Sequence, residues 1–421
     1  IQVACDTTGR AVFYAGITVF VSLAGLLLTG DSLFYGLGLG SMIVVLFTII
    51  ESLTLLPALL SLLGDRVGWL RAPGLGRPST DGGVWGTITD AVLARPVIFA
   101  VVTLAGLVAL SVPLFSLHIG TSPMTSAALP DDLEVKREFE LLEVHFTLAE
   151  TDPLLVVVDA GMDGSVDGVN VKGSVAKLIE AVEGHDAFTP PFETRSNPAG
   201  NLLVVLVPIA NPGDETGEAE AIRVLRRTVI PGVFAGSGAE VFVDGGPAYT
   251  VDARSNVQAK APIVFAFVLG LTFLLLMVMF RSIIIPIKAI ALNMLSVGAA
   301  YGVLVLVFQE GIGESLLDFK ALGVIEIFMP LFLFAVLFGL SMDYHMLLLN
   351  RVKEAYDGGH SNEESVSIGI RATAALITSA ALIMVLVFGS FATARLMIYK
   401  QIGVGLGVAI LIDATVIQAV L

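Results

Sequence analysis

The sequence has few of the residues on which soluble enzymes and disulfide-stabilised domains depend. Only 14% of its 421 residues are charged, whereas soluble domains average about 25%. Its single cysteine, Cys5, excludes a disulfide within the chain and any paired-cysteine metal or redox site. Neither a Walker A motif nor an HExxH motif occurs, so the residues for ATP hydrolysis and for that kind of zinc catalysis are missing. The net charge of −15 argues against nucleic-acid binding.

Apolar residues are abundant instead. They make up 55% of the chain, and the mean hydropathy is +0.87. A membrane-spanning helix needs roughly 20 consecutive apolar residues, and eight runs approach or exceed that length. They cover residues 11–28, 33–56, 97–117, 261–280, 283–308, 322–349, 376–393 and 402–421. We therefore expect a polytopic α-helical membrane protein.

The distribution of Arg and Lys predicts the orientation of these spans. The segments 64–96, 281–288 and 351–371, together with Arg10, hold 10 basic residues, while the short loops at the opposite ends hold three. Because basic residues are enriched on the cytoplasmic side, the first group is predicted to be cytoplasmic. Residues 118–260 are then extracytoplasmic, and the expected location is the cytoplasmic (inner) membrane, crossed several times.

The extracytoplasmic stretch 118–260 holds 22 acidic and 10 basic side chains and has the pattern of an α/β domain. Strand-like runs (PLLVVVDA, NLLVVLVPIA and AEVFVDGG) alternate with runs of helical periodicity (EVKREFELLEVHF, SVAKLIEAVEGH and EAEAIRVLRRTVI). So short an alternation suggests a ferredoxin-like split βαβ domain. His145 and His185 are isolated, so neither a metal site nor a catalytic site is expected there.

An internal repeat predicts the domain organisation. A shift of 365 residues places TGRAVFYAGITV over TAALITSAALIM and LGLGSMIVVLF over IGVGLGVAILI. Repeated halves are common in secondary transporters. The segments we expect are the last two helices of a first repeat (1–63), a cytoplasmic linker rich in Pro and Gly (64–96), the first helix of a second repeat (97–117), the extracytoplasmic domain (118–260) and the remaining helices (261–421). We expect the chain to be part of a longer protein, since it opens at IQVACDTTGR and stops within an apolar run.

Two carboxylates within these runs are the main candidates for chemistry. Asp343 lies in an otherwise almost wholly apolar span, where an ionisable group costs at least ~2.5 kcal/mol. Tyr344 follows it with a hydroxyl that can donate to or accept from a carboxylate. Asp413 lies at a similar depth in the last span. Burial opposes ionisation of a carboxyl group, and one that changes charge near neutral pH suits a proton relay. The alternative is that both are structural links satisfied by Ser, Thr or Tyr.

Four further residues are secondary candidates. Glu51 stands near the position that the repeat pairs with Asp413; it replaces a first-half carboxylate or reaches the cytoplasmic interface. Glu326 lies near the outer end of its predicted helix and is an interfacial or gate residue on this interpretation. Thr378 and Ser379 lie mid-span and are able to donate to an acid on a neighbouring helix. The glycine runs 36–40 and 403–407 lie inside apolar spans, so close helix packing explains them better than phosphate binding.

Five motifs carry a resemblance to a known family: GLSMDYHMLLLNRVKEAY, TTGRAVFYAGITV, LTLLPALLSLLGD, TSAALIMVLVFGSF and GLGVAILIDATV. Together they resemble the MMPL family (mycobacterial membrane protein large) of the resistance-nodulation-division (RND) superfamily. The resemblance implies an RND-type bundle of twelve spans, of which these are the last eight, and a porter-like domain over 118–260. It also implies that Asp343, Tyr344 and Asp413 form the proton relay, with a partner Asp-Tyr pair upstream. Asn350 and Glu51 depart from the family pattern.

The function implied is export of lipids or other hydrophobic molecules, driven by the proton motive force. It needs no cofactor or metal, only protons as the coupling ion. Its partners would be membrane lipids, the hydrophobic substrate and the N-terminal half of the same chain; a homo-oligomer remains open, and nucleic acid is not expected. Two alternatives also remain open. One is a lipid- or sterol-sensing scaffold without transport, and the other is a protein-translocation accessory of the same superfamily.

Overall fold

The computed structural model describes residues 2–64, 83–121, 129, 133–162 and 164–417. Two compact units divide the chain. The first, called here the membrane unit, comprises Ile1–Ser122 and Val257–Leu421, and the second comprises Pro123–Asn256. The second unit lies within the segment 118–260 that the sequence sets apart.

The membrane unit is almost entirely helical. Its elements before residue 122 are α1 (Gln2–Ala24), α2 (Ser32–Leu53), α3 (Leu55–Leu63), α4 (Gly83–Ala94), α5 (Pro96–Ser111) and β1 (Ile119–Gly120). Those that follow the second unit are α11 (Gly246–Phe280, which begins in the second unit), α12 (Ile284–Leu304), α13 (Glu314–Leu317), β6 (Ile325–Glu326), α14 (Met329–Asp357), α15 (Asn362–Ala392) and α16 (Met397–Ile412). Short π-helical segments extend α12 over Val305–Gln309 and α16 over Asp413–Ile417.

Eight helices among the described residues are long and apolar enough to cross a membrane, as the sequence predicts. Capping residues set several of their ends. The Asp31 carboxylate accepts the Leu33 N–H at 2.8 Å at the start of α2. Ser361 and Glu364 form a capping box at the start of α15. Pro96 occupies the first turn of α5, where its missing N–H costs nothing.

One predicted span begins in the wrong place. The run 322–349 was expected to be helical from its start, but α14 begins at Met329. Ile325 and Glu326 are extended instead, and they pair in parallel with Ile119 and Gly120. Gly323, at φ +74°, turns the backbone away from helical geometry just before this strand. Glu326 therefore lies on a strand and not on the outer end of a helix.

α14 is the most buried span of the unit. In its most apolar stretch of 18 residues, 69% of the residues are buried, whereas no residue is buried in the corresponding stretch of Ser32–Leu63. Phe334 and Phe338 are fully buried on it, and it packs against α1, α12, α15 and α16. Two helical hairpins, α1–α2 and α15–α16, flank this central helix. Met397, the first residue of α16, follows Ser32, the first residue of α2, by 365 residues, which is the shift of the sequence repeat.

The predicted cytoplasmic linker 64–96 contains a helix, α4. Its Thr89 and Val92 are buried, and Asp90 accepts a 2.5 Å bond from Arg371 of α15. The Pro- and Gly-rich part of this linker, 65–82, lies outside the described residues.

The second unit has helices packed on one face of an antiparallel sheet. Its elements are α6 (Glu134–His145), α7 (Leu148–Thr151), β2 (Leu154–Asp159), α8 (Val169–Glu183), β3 (Glu193–Ser196), β4 (Leu202–Val207), α9 (Glu215–Val224), a π-helical segment (Leu225–Val229), α10 (Ile230–Phe234) and β5 (Glu240–Asp244). The strand order is β3-β4-β2-β5. Val156 of β2 stands opposite Val205 of β4 and Val243 of β5, and these side chains face a core completed by α8 and α9. The three strands expected from the sequence are β2, β4 and β5.

Candidate functional site

Helices α12, α14 and α16 meet around a small cavity in the membrane unit. Its volume is about 10 Å³, which is room for one water molecule at most. Its lining is apolar apart from four polar side chains. The lining residues are Asn293, Ser296, Val297, Leu337, Leu340, Ser341, Ala409, Ile410 and Asp413.

Asp413 supplies the carboxyl group of this cavity. It is the first residue of the π-helical segment that extends α16, and only 3% of its surface is exposed. Intramembrane carboxylates commonly mark ion or proton pathways because their burial is costly. π-helical turns are themselves frequent at functional sites. The predicted relay residue Asp413 is therefore buried at the end of a membrane helix, in contact with a polar cavity.

Asn293 of α12 and Ser341 of α14 bring neutral polar groups to the same cavity. Asn293 is 1% exposed and Ser341 is 7% exposed. Neither residue was predicted from the sequence, because a neutral polar side chain in an apolar span stands out far less than a carboxylate. The available signal was Asn293 itself, an amide within the apolar run IALNMLSVG.

The predicted pair Asp343 and Tyr344 belongs to the backbone of α14, but their side chains lie outside the described residues. Along the helix axis, Asp343 follows the cavity residue Ser341 by about 3 Å, at 1.5 Å per residue. The backbone of the pair thus passes close to the level of the cavity.

His345 is a further buried titratable residue on α14. It is 7% exposed, and its Nδ1 lies 3.1 Å from the Ser341 carbonyl oxygen. Because a carbonyl oxygen only accepts, this bond places a hydrogen on Nδ1. The imidazole is fixed one turn beyond Ser341, and the sequence analysis did not single it out.

The four secondary candidates do not line this cavity. Glu51 is exposed in the last turn of α2. The Thr378 and Ser379 hydroxyls are exposed and donate to carbonyls of their own helix, those of Ala374 at 2.7 Å and Ala375 at 2.8 Å, instead of to an acid on a neighbouring helix.

Glu326, the fourth secondary candidate, is held near the N-terminus of α16. Its backbone N–H donates to the side-chain oxygen of Gln401 at 3.2 Å. Asp413 thus lines the cavity, and none of the four secondary candidates does.

The second glycine run allows close packing at two of its positions. A Cβ added at Gly403 would lie 2.7 Å from the Phe388 carbonyl oxygen of α15, and one at Gly405 would lie 2.9 Å from Leu333 of α14. The close approach brings α16, and with it Asp413, against both helices. Among the described residues, no group of three or more His, Cys, Asp or Glu side chains is arranged to hold a metal ion.

These features define a multi-pass membrane protein with a buried carboxyl group in its bundle. The family model of the MMPL family matches residues 1–99 and 127–421. The chain belongs to the MMPL family.

Curated relatives have similar sequences over the whole chain. One is the mycolic acid-containing lipids exporter MmpL11 of Mycolicibacterium smegmatis, 31% identical over 100% of this chain and 44% of the relative. Another is the heme uptake protein MmpL11 of Mycobacterium tuberculosis, 32% identical over 100% of this chain and 43% of the relative. The chain spans about half the length of the curated relatives it matches.

A solved structure is also similar, that of the translocon-associated membrane protein SecDF from a Thermus species. The match has 15% sequence identity and a TM-score of 0.48, and covers 97% of this chain and 47% of that one. At this level of similarity it carries no argument about function.

Proposed function

We propose that this chain is part of a secondary active transporter that exports lipids or other hydrophobic molecules across the cytoplasmic membrane, driven by the proton motive force. The observation that carries the proposal is Asp413, an ionisable side chain 3% exposed on a membrane helix and lining a polar cavity. Since an ionisable group at that depth costs at least ~2.5 kcal/mol, a role in moving charge accounts for its presence.

The family supports transport, and the relatives bear on the substrate. The names of the two MmpL11 proteins refer to mycolic acid-containing lipids and to heme, which are both large and hydrophobic. One name gives export and the other uptake. We propose export because the membrane orientation predicted from Arg and Lys places the α/β unit outside the cell, where a released lipid would be received.

In this proposal, protons bind at Asp413 and at Asp343, with Tyr344 fixing the geometry of Asp343. Protonation removes the charge of a buried group and so biases the packing of the surrounding helices between two states. α14 and α16 pack against each other, so a change in charge on one of them alters the surroundings of the other. The resulting movement would open and close a path for the substrate.

We further propose that the second unit is a ferredoxin-like porter domain. Its order of elements after α7 is β-α-β-β-α-β when the continuous helical run from α9 to α10 is counted as one helix, and the antiparallel strand order β3-β4-β2-β5 supports the assignment.

The test uses the complete protein in proteoliposomes with an imposed pH gradient, and it records proton flux and lipid movement together. Asp413→Asn and Asp343→Asn should each abolish both activities in protein that remains folded. Glu310→Gln, which removes a carboxylate from an exposed loop position, is the matched control and should retain both. Lipid movement that persists in both Asn variants would contradict proton coupling, and lipid binding without movement in the wild type would favour the sensing or scaffold alternative.

A further inference from the structure

The cavity between α12, α14 and α16 contains polar atoms for which the described residues supply no hydrogen-bond partner. They are both side-chain atoms of the Asn293 amide, Nδ2 and Oδ1, and the hydroxyl oxygen of Ser341. Both residues are more than nine-tenths buried. They belong to different helices and line one space.

Such atoms are costly to leave without a partner. A buried polar group without a hydrogen bond typically costs ~1–3 kcal/mol, and nearly all buried polar groups in proteins are bonded to protein or to ordered water. Here an amide donor, an amide acceptor and a hydroxyl surround the same opening. A small molecule that both donates and accepts hydrogen bonds would satisfy these three groups.

The size and lining of the cavity indicate which molecule this is. A volume of about 10 Å³ corresponds to about one water molecule, which needs two to four polar partners. Val297, Leu337 and Ile410 close the remaining walls with apolar surface, which excludes a larger polar ligand. A calcium ion takes six to eight oxygen ligands, more than four polar side chains of this kind provide.

We propose that this cavity holds a single bound water, positioned by Asn293 and Ser341, through which protons reach and leave the Asp413 carboxylate. A proton arriving at the water displaces one of the water's own protons onto a carboxylate oxygen of Asp413, so the water is regenerated and one charge moves. Asn293 donates and accepts hydrogen bonds without taking up the proton. It is a positioning residue. This inference rests on the proposed function and assigns Asn293 a role in it.

The variants are chosen to separate loss of polarity from loss of shape. Asn293→Leu keeps a similar volume and removes both polar atoms, whereas Asn293→Thr restores a hydroxyl. Thr272→Val is the matched control, because the Thr272 hydroxyl on α11 is also buried and has no partner among the described residues, yet it does not line the cavity. Correct folding is checked for every variant by size-exclusion chromatography and thermal unfolding in detergent.

Proton flux of the complete protein in proteoliposomes is the first measurement. Asn293→Leu should lower it about tenfold, Ser341→Ala should lower it by a smaller factor, and Asn293→Thr should recover it to within about threefold of wild type, on the scale of one hydrogen bond. Thr272→Val should leave it unchanged. Equal flux in Asn293→Leu and wild type would overturn the inference, and so would an equal loss in Asn293→Leu and Asn293→Thr.

A high-resolution cryo-electron microscopy map is the second measurement and does not depend on transport. It should contain density for one water between Asn293 and Ser341 in wild type and none in Asn293→Leu. An empty cavity, or a flux that requires sodium ions in the wild type, would overturn the inference. Absence of any proton flux in wild-type vesicles, with the water present in the map, would instead overturn the proposed function.

Discussion

The Ser22 hydroxyl donates a 2.6 Å hydrogen bond to the Ala335 carbonyl oxygen, although the two residues are 313 positions apart. Both are fully buried. The bond joins α1, from the predicted first repeat, to α14, the helix that carries Asp343. One turn further along α14, Gly339 lies so close to α1 that an added Cβ would stand 2.9 Å from the Cα of Val19.

Gly339→Ala should disturb this interface. The new methyl group meets backbone, which cannot move aside as a flexible side chain does, so we expect a destabilisation of ~1–3 kcal/mol, as for other overpacked sites. Chemical unfolding of the complete protein in mixed micelles measures it. Gly389→Ala is the control, since a Cβ there meets no atom within 4 Å. Equal stability of the two variants would show that α1 and α14 are not closely packed.

Lys400→Met should destabilise the packing around the first turn of α16 by ~2 kcal/mol. Lys400 is 4% exposed, and its ammonium group donates to the carbonyl oxygens of Leu317 and, at 2.7 Å, Asp318. Hydrogen bonds to charged groups contribute ~1.5–3 kcal/mol. Hydrogen exchange should increase in α13 and in the loop that follows it. Lys320→Met removes an exposed lysine from the same loop, and unfolding data should not distinguish it from wild type.

Arg226→Lys should loosen the second unit locally. The Arg226 guanidinium donates to both carboxylate oxygens of Asp252, at 2.6 and 2.7 Å, and to the Val243 carbonyl at 2.8 Å. The Asp252 carboxylate holds the pKa of Arg226 above its ordinary value. An ammonium group cannot reproduce this fork, so amide protection in β5 should fall by about tenfold.

Arg223→Lys is the control for this substitution, because the ion pair that Arg223 forms among the described residues is with the exposed Glu220 of its own helix. Unchanged protection of β5 in Arg226→Lys would mean that the fork contributes nothing to the stability of the unit.

Asp152→Asn should change how stability depends on pH. Burial raises the pKa of Asp152, and the N–H of Gly246 offsets this only in part. For an acid whose pKa is raised on folding, the stabilising contribution is present below the ordinary value of about 3.9 and is lost as pH rises through the folded value. The Asn variant should therefore gain stability relative to wild type at pH 7 and not at pH 3.5. Because the site is half open to solvent, we expect a gain below ~1 kcal/mol.

Thermal unfolding of the complete protein at the two pH values measures this difference. Asp186→Asn removes the same charge from an exposed position and should show a smaller change between them. A gain in Asp152→Asn that is equal at both pH values would contradict the assignment.

The long apolar runs were enough to predict all eight spans, because hydropathy over roughly 20 residues is a strong local signal. The strands β2 and β4 were predictable because each is a short, continuous apolar run. β3 was not, since Glu193, Thr194, Arg195 and Ser196 are all exposed. Only the antiparallel register with β4, the next strand of the chain, makes these residues a strand, and a short polar sequence lacks the apolar alternation from which a strand is predicted.

The site was predictable in part. The sequence singles out Asp413 because a carboxylate in an apolar span is conspicuous. It does not indicate that Asn293, 120 residues earlier, reaches the same cavity. That proximity depends on which helices pack together, and the hydropathy of each single span does not reveal its neighbours. The buried position of Lys400 is unpredictable for a similar reason, since the carbonyl groups that compensate its charge belong to the last residue of α13 and the residue after it, both far from Lys400 in sequence.

α14 packs closely against neighbouring helices at two positions along its axis. Val19 presses on Gly339 from one side, and from another an added Cβ at Gly369 of α15 would lie 3.3 Å from the Cα of Val352. Sliding a helix by a single residue moves it about 1.5 Å, which is enough to bring bulkier neighbours against both glycines. α14, the helix that bears Asp343, is therefore poorly suited to slide along its own axis while its neighbours stay in place. Because α14 packs this closely on α1 and α15, a shift of α14 along its axis requires both neighbouring helices to move with it.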